Sequence, residues 1–444
     1  MDLRGLPPGP GVPLLQTLLY LRDPYSYLER GRERYGDPFT ARGINTATVV
    51  VGSPEGAQQI FAADPDTYLP YLPEGLRPLI GESSLFLLTG ASHRRDRKLL
   101  TPVLHGERMH AYGHTIREAA LEAASRWPRG RVFVFQDSSQ WISLEILLRT
   151  IYGVSEPAPL DAFRAALREY VAAARPSLLY FTALQHPRFP PWSRLQRAQA
   201  RCSDLLATEL ATRRAAPTHG EDVLSLMLRA RRDDGSAVSD AEIRDALATL
   251  LFAGHETTTI ALAWAIYWLL RDCARLGRLL AEIDGLGEDA APEALVRLPY
   301  LDAVVHETLR LHPVLPDPYR LLARPLSLCG YSVPPGATVV VAASLLHSRS
   351  DLFPEPHRFI PERFLTRRFG PFEYVPFGGG HRRCIGAAFA TYELKLVLAT
   401  LLSRFRLELA EPREVRPGRR NIALGPSTGV RVRYVGPRAA GAPP

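Results

Sequence analysis

The chain has 444 residues, 46% apolar and 23% charged, with a formal net charge of +8. That length allows a large buried core, and that balance of apolar to charged residues excludes a disordered or fibrous protein. The basic excess contains no basic run interleaved with aromatics, which argues against nucleic acid and leaves a solvated basic surface or a docking face for an acidic protein.

The four cysteines, Cys202, Cys273, Cys329 and Cys384, show no C-x-x-C pair and no framework spacing, so reduced thiols are expected. No apolar run approaches the roughly 18 residues of a membrane span, and Met1 to Gly11 lacks a signal-peptide segment. These features predict a soluble, cytoplasmic protein.

Taken in order, residues 1–11 end in a stiff extended lead-in, Leu6-Pro7-Pro8-Gly9-Pro10-Gly11. Asp23 to Tyr35 has a helical pattern. Phe39 to Arg42 and Ala47 to Val51 read as a β-hairpin across Gly43 to Thr46. Ser53-Pro54 opens a helix, with Ser as N-cap and Pro at the first helical position. Tyr68 to Gly90 is loop-rich, with Pro70, Pro73 and Pro78 among apolar residues, and reads as a pocket wall. Ala91 to Gly153 is helical with a break near Pro128-Arg129-Gly130. Leu160 to Ala215 is helical with interruptions at Pro176 and at His186 to Pro191, a hinge or a loop.

Val238 to Asp272 is the longest helical pattern, opened by a capping box of Ser239 and Glu242. Its apolar residues lie nearly all round, which predicts a central buried helix. Tyr300 to Leu311 is a further helix. Leu326 to Val333 and Ala337 to Ala342 are strand-like runs separated by Pro334-Pro335-Gly336. The last strands are expected between Phe405 and Leu409 and between Val430 and Val435, with residues 437–444 as a flexible tail. No repeat or linker divides the chain, so one domain over residues 1–444 is expected.

Four motifs carry chemistry. Phe377-Gly378-Gly379-Gly380-His381-Arg382-Arg383-Cys384-Ile385-Gly386 puts one cysteine after a glycine-rich loop and just before a helix. The helix start and the two arginines favour a thiolate. A thiolate on such a loop suits axial ligation of haem iron, although a lone Cys at a helix start is also read as an inert small residue. Ala253-Gly254-His255-Glu256-Thr257-Thr258 puts a glycine, an acid and hydroxyls in mid-helix. There a loosened turn would present Glu256 and Thr257 as a proton relay, the alternative being a small-residue helix contact. The H-E-x-x-H zinc motif fails because position 259 is Thr259. Glu307 and Arg310 share a helix face and can pair, either exposed or buried with Arg363. His93 and Arg97 also share a face and can clamp an anion, or belong to a solvated basic face.

In this order and spacing the motifs resemble the cytochrome P450 family of haem-thiolate monooxygenases, soluble bacterial type. The match comprises Phe377-x-x-Gly380-x-Arg382-x-Cys384-x-Gly386, Ala253-Gly254-x-Glu256-Thr257, Glu307-x-x-Arg310 and Pro361-x-Arg363-Phe364, and it extends over essentially the whole chain. The resemblance implies a mainly α fold with a small β region: a triangular helical prism, with haem between a long central helix and the cysteine loop.

It further implies haem b (iron protoporphyrin IX) ligated by Cys384, with Phe377 packed near the thiolate. His93, Arg97, Arg320 and Arg382 would hold the propionates, and Glu256 and Thr257 would deliver protons during oxygen activation. Glu307, Arg310 and Arg363 would form a buried structural network. Family pocket regions fall on Tyr68 to Leu88, Leu167 to Trp192, Thr249 to Ala253, Val314 to Tyr319 and Ile422 to Pro426. They place Leu85, Phe86, Leu87, Leu250, Phe252, Ala253, Val314, Leu315 and Leu424 around an apolar substrate. The expected reaction is hydroxylation or epoxidation of a terpenoid, steroid-like compound or fatty acid. O2 and two electrons from a ferredoxin or flavodoxin with its reductase would be used, with Arg94, Arg95, Lys98 and Arg383 as carrier contacts on a monomer. The alternatives are a peroxide-using haem-thiolate enzyme and a non-catalytic haem-thiolate sensor.

Overall fold

The computed structural model describes residues 5–43, 47–70, 76–106, 108–154, 156–174, 178, 182–215, 220–232, 234–420, 422–439 and 441. Pro73, Pro176, most of the hairpin turn at 44–46 and the end of the tail lie outside the described residues.

The N-terminal region forms helices α1 (Pro13–Arg22) and α2 (Pro24–Tyr35), then strands β1 (Phe39–Arg42) and β2 (Ala47–Val51) and helix α3 (Pro54–Ala62). The β1–β2 hairpin and the Ser53 cap form as the sequence predicts, with the Ser53 side chain accepting from the Gly56 N–H. Helix α1 was not expected from the sequence. Strand β3 (Tyr68–Leu69) and the short helix α4 (Arg77–Ile80) punctuate the loop-rich segment before helix α5 (Gly90–Leu100).

The break near Pro128 is wider than expected and contains strand β4 (Val132–Val134). Helices Phe135–Thr150, Pro157–Ala173 and Pro190–Ala215 follow. The central helix runs unbroken from Asp240 to Arg271, 32 residues, with the Ser239–Glu242 capping box present. At ~1.5 Å per residue it extends about 48 Å. Among the described residues it is the one helix long and apolar enough to cross a membrane, but 67% of its most apolar window is buried, which marks it as a core helix. The largest apolar cluster gathers around it, with Trp264, Ile266 and Leu262 almost fully covered.

Strands β5 (Tyr319–Leu322) and β8 (Thr338–Val341) complete a five-stranded sheet of order β1-β2-β8-β5-β3, in which β2 and β8 run parallel. Between them the strand-like run Leu326 to Val333 folds into a hairpin of β6 (Leu326–Leu328) and β7 (Tyr331–Val333). Cys329 and Gly330 take φ of +50° and +84° there, which reverses the chain. After helix Ala387–Arg404, β9 (Phe405–Leu409) pairs with β12 (Arg431–Pro437), and β10 (Pro417–Arg420) with β11 (Ala423–Pro426).

Candidate active site

Cys384 stands two residues before Gly386, the N-cap of helix Ala387–Arg404. Its N–H donates to the Phe377 carbonyl at 2.9 Å, which closes the glycine loop. Gly378 and Gly380 take φ of +64° and +65°, open to glycine at no steric cost. A Cβ on Gly379 would lie 2.3 Å from the Phe61 ring, and one on Gly380 would lie 2.2 Å from the Phe61 carbonyl oxygen. Two of the glycines are thus required by packing against α3, and not only by approach of a flat ligand.

The Cys384 residue is accessible, yet enough protein surrounds it that burial pushes its thiol pKa up. A sulfur that is both accessible and desolvated lines an interior space. The Gly386 N–H, Arg383 and Arg97 act in the opposite direction and are outweighed. This corrects the expectation that helix start and arginines alone favour a thiolate. A coordinated metal deprotonates a thiol outright, so here the thiolate would come with the metal.

A cluster of arginines and neutral histidines borders the loop. His93 is buried on α5, and burial first, then Arg382 and Arg97, hold its imidazole down at about 4. Burial and Arg320 and Arg97 lower Arg382 to about 10, and burial lowers Arg320 to about 10. Arg382 donates to the Leu85 carbonyl at 2.7 Å and also to that of Leu88, fastening the pocket-wall segment to the loop. His381 was missed from the sequence because it occupies a variable position of the loop motif. It stacks on Tyr68, meets His93 edge-on, and is held at about 4 by burial and by Arg382, Arg320 and Arg97. Among the described residues the acids acting on this cluster are few: Asp64 on His381, the Cys384 thiol on Arg97 and the Tyr68 phenol on Arg320. Mutually repelling cations beside an accessible sulfur fit a planar metal group carrying two carboxylates, as haem does.

Within the buried central helix, Phe252, Ala253, Gly254, Glu256 and Thr257 remain partly accessible. A Cβ on Gly254 would meet only Leu147, at 3.4 Å, so protein packing does not demand this glycine. The Thr257 hydroxyl donates to the Ala253 carbonyl at 2.7 Å, and Thr258 and Thr259 bond back in the same way. The helix is not opened by these bonds, contrary to the expected loosened turn. Its carbonyls accept the hydroxyls while keeping their helical partners. Glu393 on helix Ala387–Arg404 is a second residue the sequence did not reveal. It is buried against Thr258, and burial raises it to about 8, so it carries a proton at neutral pH.

The Glu307–Arg310 pair is buried, at 0% and 1% exposure. Arg310 Nε and Nη2 donate to the two Glu307 carboxylate oxygens at 2.6 and 2.9 Å. Its remaining donors reach the carbonyls of His347, Pro356 and Arg358. Glu307 also accepts from Arg363 Nε at 3.1 Å and from the Ile360 N–H at 2.7 Å. His347 joins this network to the loop: Nδ1 lies 3.1 Å from the Arg310 carbonyl, and Nε2 accepts the Val375 N–H at 2.9 Å, two residues before Phe377. That geometry requires neutral imidazole with the proton on Nδ1.

Burial first, then Arg310, hold His347 at about 3. Above pH ~6.5 the ring is neutral in both folded and unfolded chains. As the pH falls below that value the unfolded chain takes up the proton first, so stability declines down to about pH 3. His347 alone is expected to remove ~1.4 kcal/mol per pH unit. Urea midpoints at pH 7.5 and 5.5 check this: the midpoint should fall, and His347→Gln should start lower but lose less between the two pH values.

The apolar pocket residues divide between clusters. Leu250 and Val314 belong to the main core with Leu85 packed on it, while Leu87 and Phe252 pack on a smaller cluster around Leu178 and Trp192. Leu424 is buried and its N–H donates to the Val314 carbonyl at 3.0 Å. Phe86 and Leu315 are 37% and 42% exposed and are not core. Beside the loop lies a separate depression of about 830 Å³, bordered by His105, Met109, Phe377, Arg383, Tyr392 and Lys395. None of its lining residues comes from the central helix, so it opens on the other side of the loop.

Residues 6–430 match the family model for Cytochrome P450. Cytochrome P450 135B1 of Mycobacterium tuberculosis is 35% identical, over 97% of this chain and 91% of its own length. Cytochrome P450 138 of the same species is 35% identical, over 96% of each chain. Among solved structures, retinoic acid-bound cyanobacterial CYP120A1 superposes with a TM-score of 0.84 at 26% identity, covering 97% of this chain and 99% of that one. The cytochrome P450DA heme domain gives 0.83 at 23% identity, with 97% of each chain covered, a likeness of fold.

Proposed function

The chain belongs to the cytochrome P450 family of haem-thiolate monooxygenases, and from that premise we propose that it oxygenates a hydrophobic, isoprenoid-like small molecule. The observation that carries this reading is the exposed Cys384 bordered by Arg97, Arg320 and Arg382, which have few acids near them among the described residues. Haem, when bound, supplies the one-electron and oxygen chemistry. Cys384 would ligate its iron. His93, Arg97, Arg320 and Arg382 would hold its carboxylates, with His381 beside them.

Glu256 and Thr257 move protons into the site from the partly accessible face of the central helix. The Thr257 hydroxyl donates to the Ala253 carbonyl, which leaves its lone pairs free to accept a proton, and it passes its own proton on by rotating away from that carbonyl. Leu85, Leu250, Val314 and Leu424 bind by shape and burial, which suits hydroxylation or epoxidation of an apolar skeleton. The binding of retinoic acid by CYP120A1 supports ranking isoprenoids first. Electrons arrive from a ferredoxin or flavodoxin at the depression beside the exposed Arg383, whose charge suits an acidic carrier. We read the protein as one domain working as a soluble cytoplasmic monomer.

Thr257→Ala is the test of the proton route. Coupled product formation with ferredoxin, reductase and NAD(P)H should fall at least ~10-fold, with the electrons diverted to hydrogen peroxide. Unchanged coupling would remove Thr257 from the relay. Isoprenoid acids and alcohols should shift the ferric spin state, and a screen in which none did would overturn the substrate class.

A further inference from the structure

Apart from the cysteine loop, a cleft of about 250 Å³ lies between α4, helices Pro157–Ala173 and Pro190–Ala215, and the central helix. Its apolar lining comes from Leu79, Leu167, Leu206 and Leu251. Most of its polar groups are committed: the Tyr170 hydroxyl donates to the Leu79 carbonyl at 3.2 Å, Gln199 Nε2 to the Pro78 carbonyl at 2.6 Å, and Asp245 accepts the Ser83 N–H at 2.9 Å. Tyr152 and Ser203 are not, and each brings a hydroxyl to the lining. The Tyr152 side chain lines the cleft and is only 5% exposed, and its hydroxyl makes no hydrogen bond among the described residues. The residue is covered but its hydroxyl oxygen is not among the fully buried unpaired atoms, so it keeps access to the cleft and offers a hydrogen-bonding point in a largely apolar space.

Burial and the neighbouring Cys202 push the Tyr152 hydroxyl pKa well up, and burial raises the Cys202 thiol to about 12. Both groups are therefore neutral, and the exposed Arg244 is the one cation on the lining. An apolar cavity of about 150 Å³ takes benzene, so this cleft has room for one or two rings. Any molecule there would touch four elements at once. One is α4, whose following residues Ser83 and Ser84 are already tied to Asp245 and Thr249 of the central helix.

We propose that this cleft is a second small-molecule site, separate from the reaction centre, for an uncharged, mostly apolar molecule of one or two rings with one oxygen held by the Tyr152 hydroxyl. The test is calorimetric titration of cyclohexanol into the haem-loaded protein after the iron side is saturated with 4-phenylimidazole. One further site per chain is expected. Tyr152→Phe should weaken it about 5- to 10-fold, as loss of one hydrogen bond does. Leu206→Trp, which fills the cleft, should abolish it. Ser203→Leu, at a half-buried position on the same wall, serves as a second filling variant, with haem absorption and circular dichroism confirming the fold of each. Absence of a further site up to about 10 mM would overturn the proposal. So would binding that survives both filling variants, or that is unchanged by Tyr152→Phe.

Discussion

Cys384→Ser is expected to abolish thiolate-type absorption and oxygenation together, with activity falling at least ~1,000-fold, about 4 kcal/mol in barrier height. The replacement keeps the shape of the side chain and removes the sulfur. Gly378 and Gly380 keep their left-handed turns, and Phe61 still packs against the loop, so the backbone has no reason to move. The cations Arg97, Arg320 and Arg382 remain, so some porphyrin should still bind, through its carboxylates and with altered iron ligation. A serine hydroxyl cannot supply an anionic sulfur, whereas a metal-bound thiol is readily deprotonated. Cys273→Ser and Cys329→Ser, made in parallel, should leave absorption and activity unchanged. Retained thiolate-type absorption in Cys384→Ser would place the ligand elsewhere.

Arg310→Leu is the second large effect. It leaves the Glu307 carboxylate, at 0% exposure, without two of its hydrogen bonds and with only Arg363 and the Ile360 N–H on one oxygen. Breaking a buried pair by removing one partner costs ~3–5 kcal/mol, a large share of the ~5–15 kcal/mol that holds a domain folded. The loss also frees the carbonyls of His347, Pro356 and Arg358, and slackens the His347 link to Val375. Little soluble haem-loaded protein is expected, and Arg310→Lys should recover only part, since an ammonium cannot match the bidentate geometry. Soluble yield and the haem-to-protein absorbance ratio measure both. A normal ratio in Arg310→Leu would show that the network does not support the loop.

Much of this organisation was legible in the sequence because local chemistry and tertiary role agree. Ser239 and Glu242 cap the central helix as their spacing requires, and β1 and β2 pair across a short turn. Glu307, Arg310 and Arg363 meet because two sit on one helix turn and the third follows a proline-fixed bend. What the sequence could not display is long-range placement. His347 and Glu393 matter through partners 37 and 135 residues away, and nothing local in either segment marks them. The Cys384 thiol pKa went the other way for the same reason: the helix start and arginines are visible in sequence, whereas desolvation is a property of the assembled fold. Cys329-Gly330 split a strand-like run because apolar pattern alone does not register two consecutive positive φ angles.

The most direct test is X-ray absorption at the iron edge of the purified protein, with and without Cys384→Ser. One sulfur scatterer in the first shell of iron, lost in the variant, is the result predicted here. An iron surrounded by nitrogen and oxygen alone, or a sulfur signal that persists in Cys384→Ser, would contradict it.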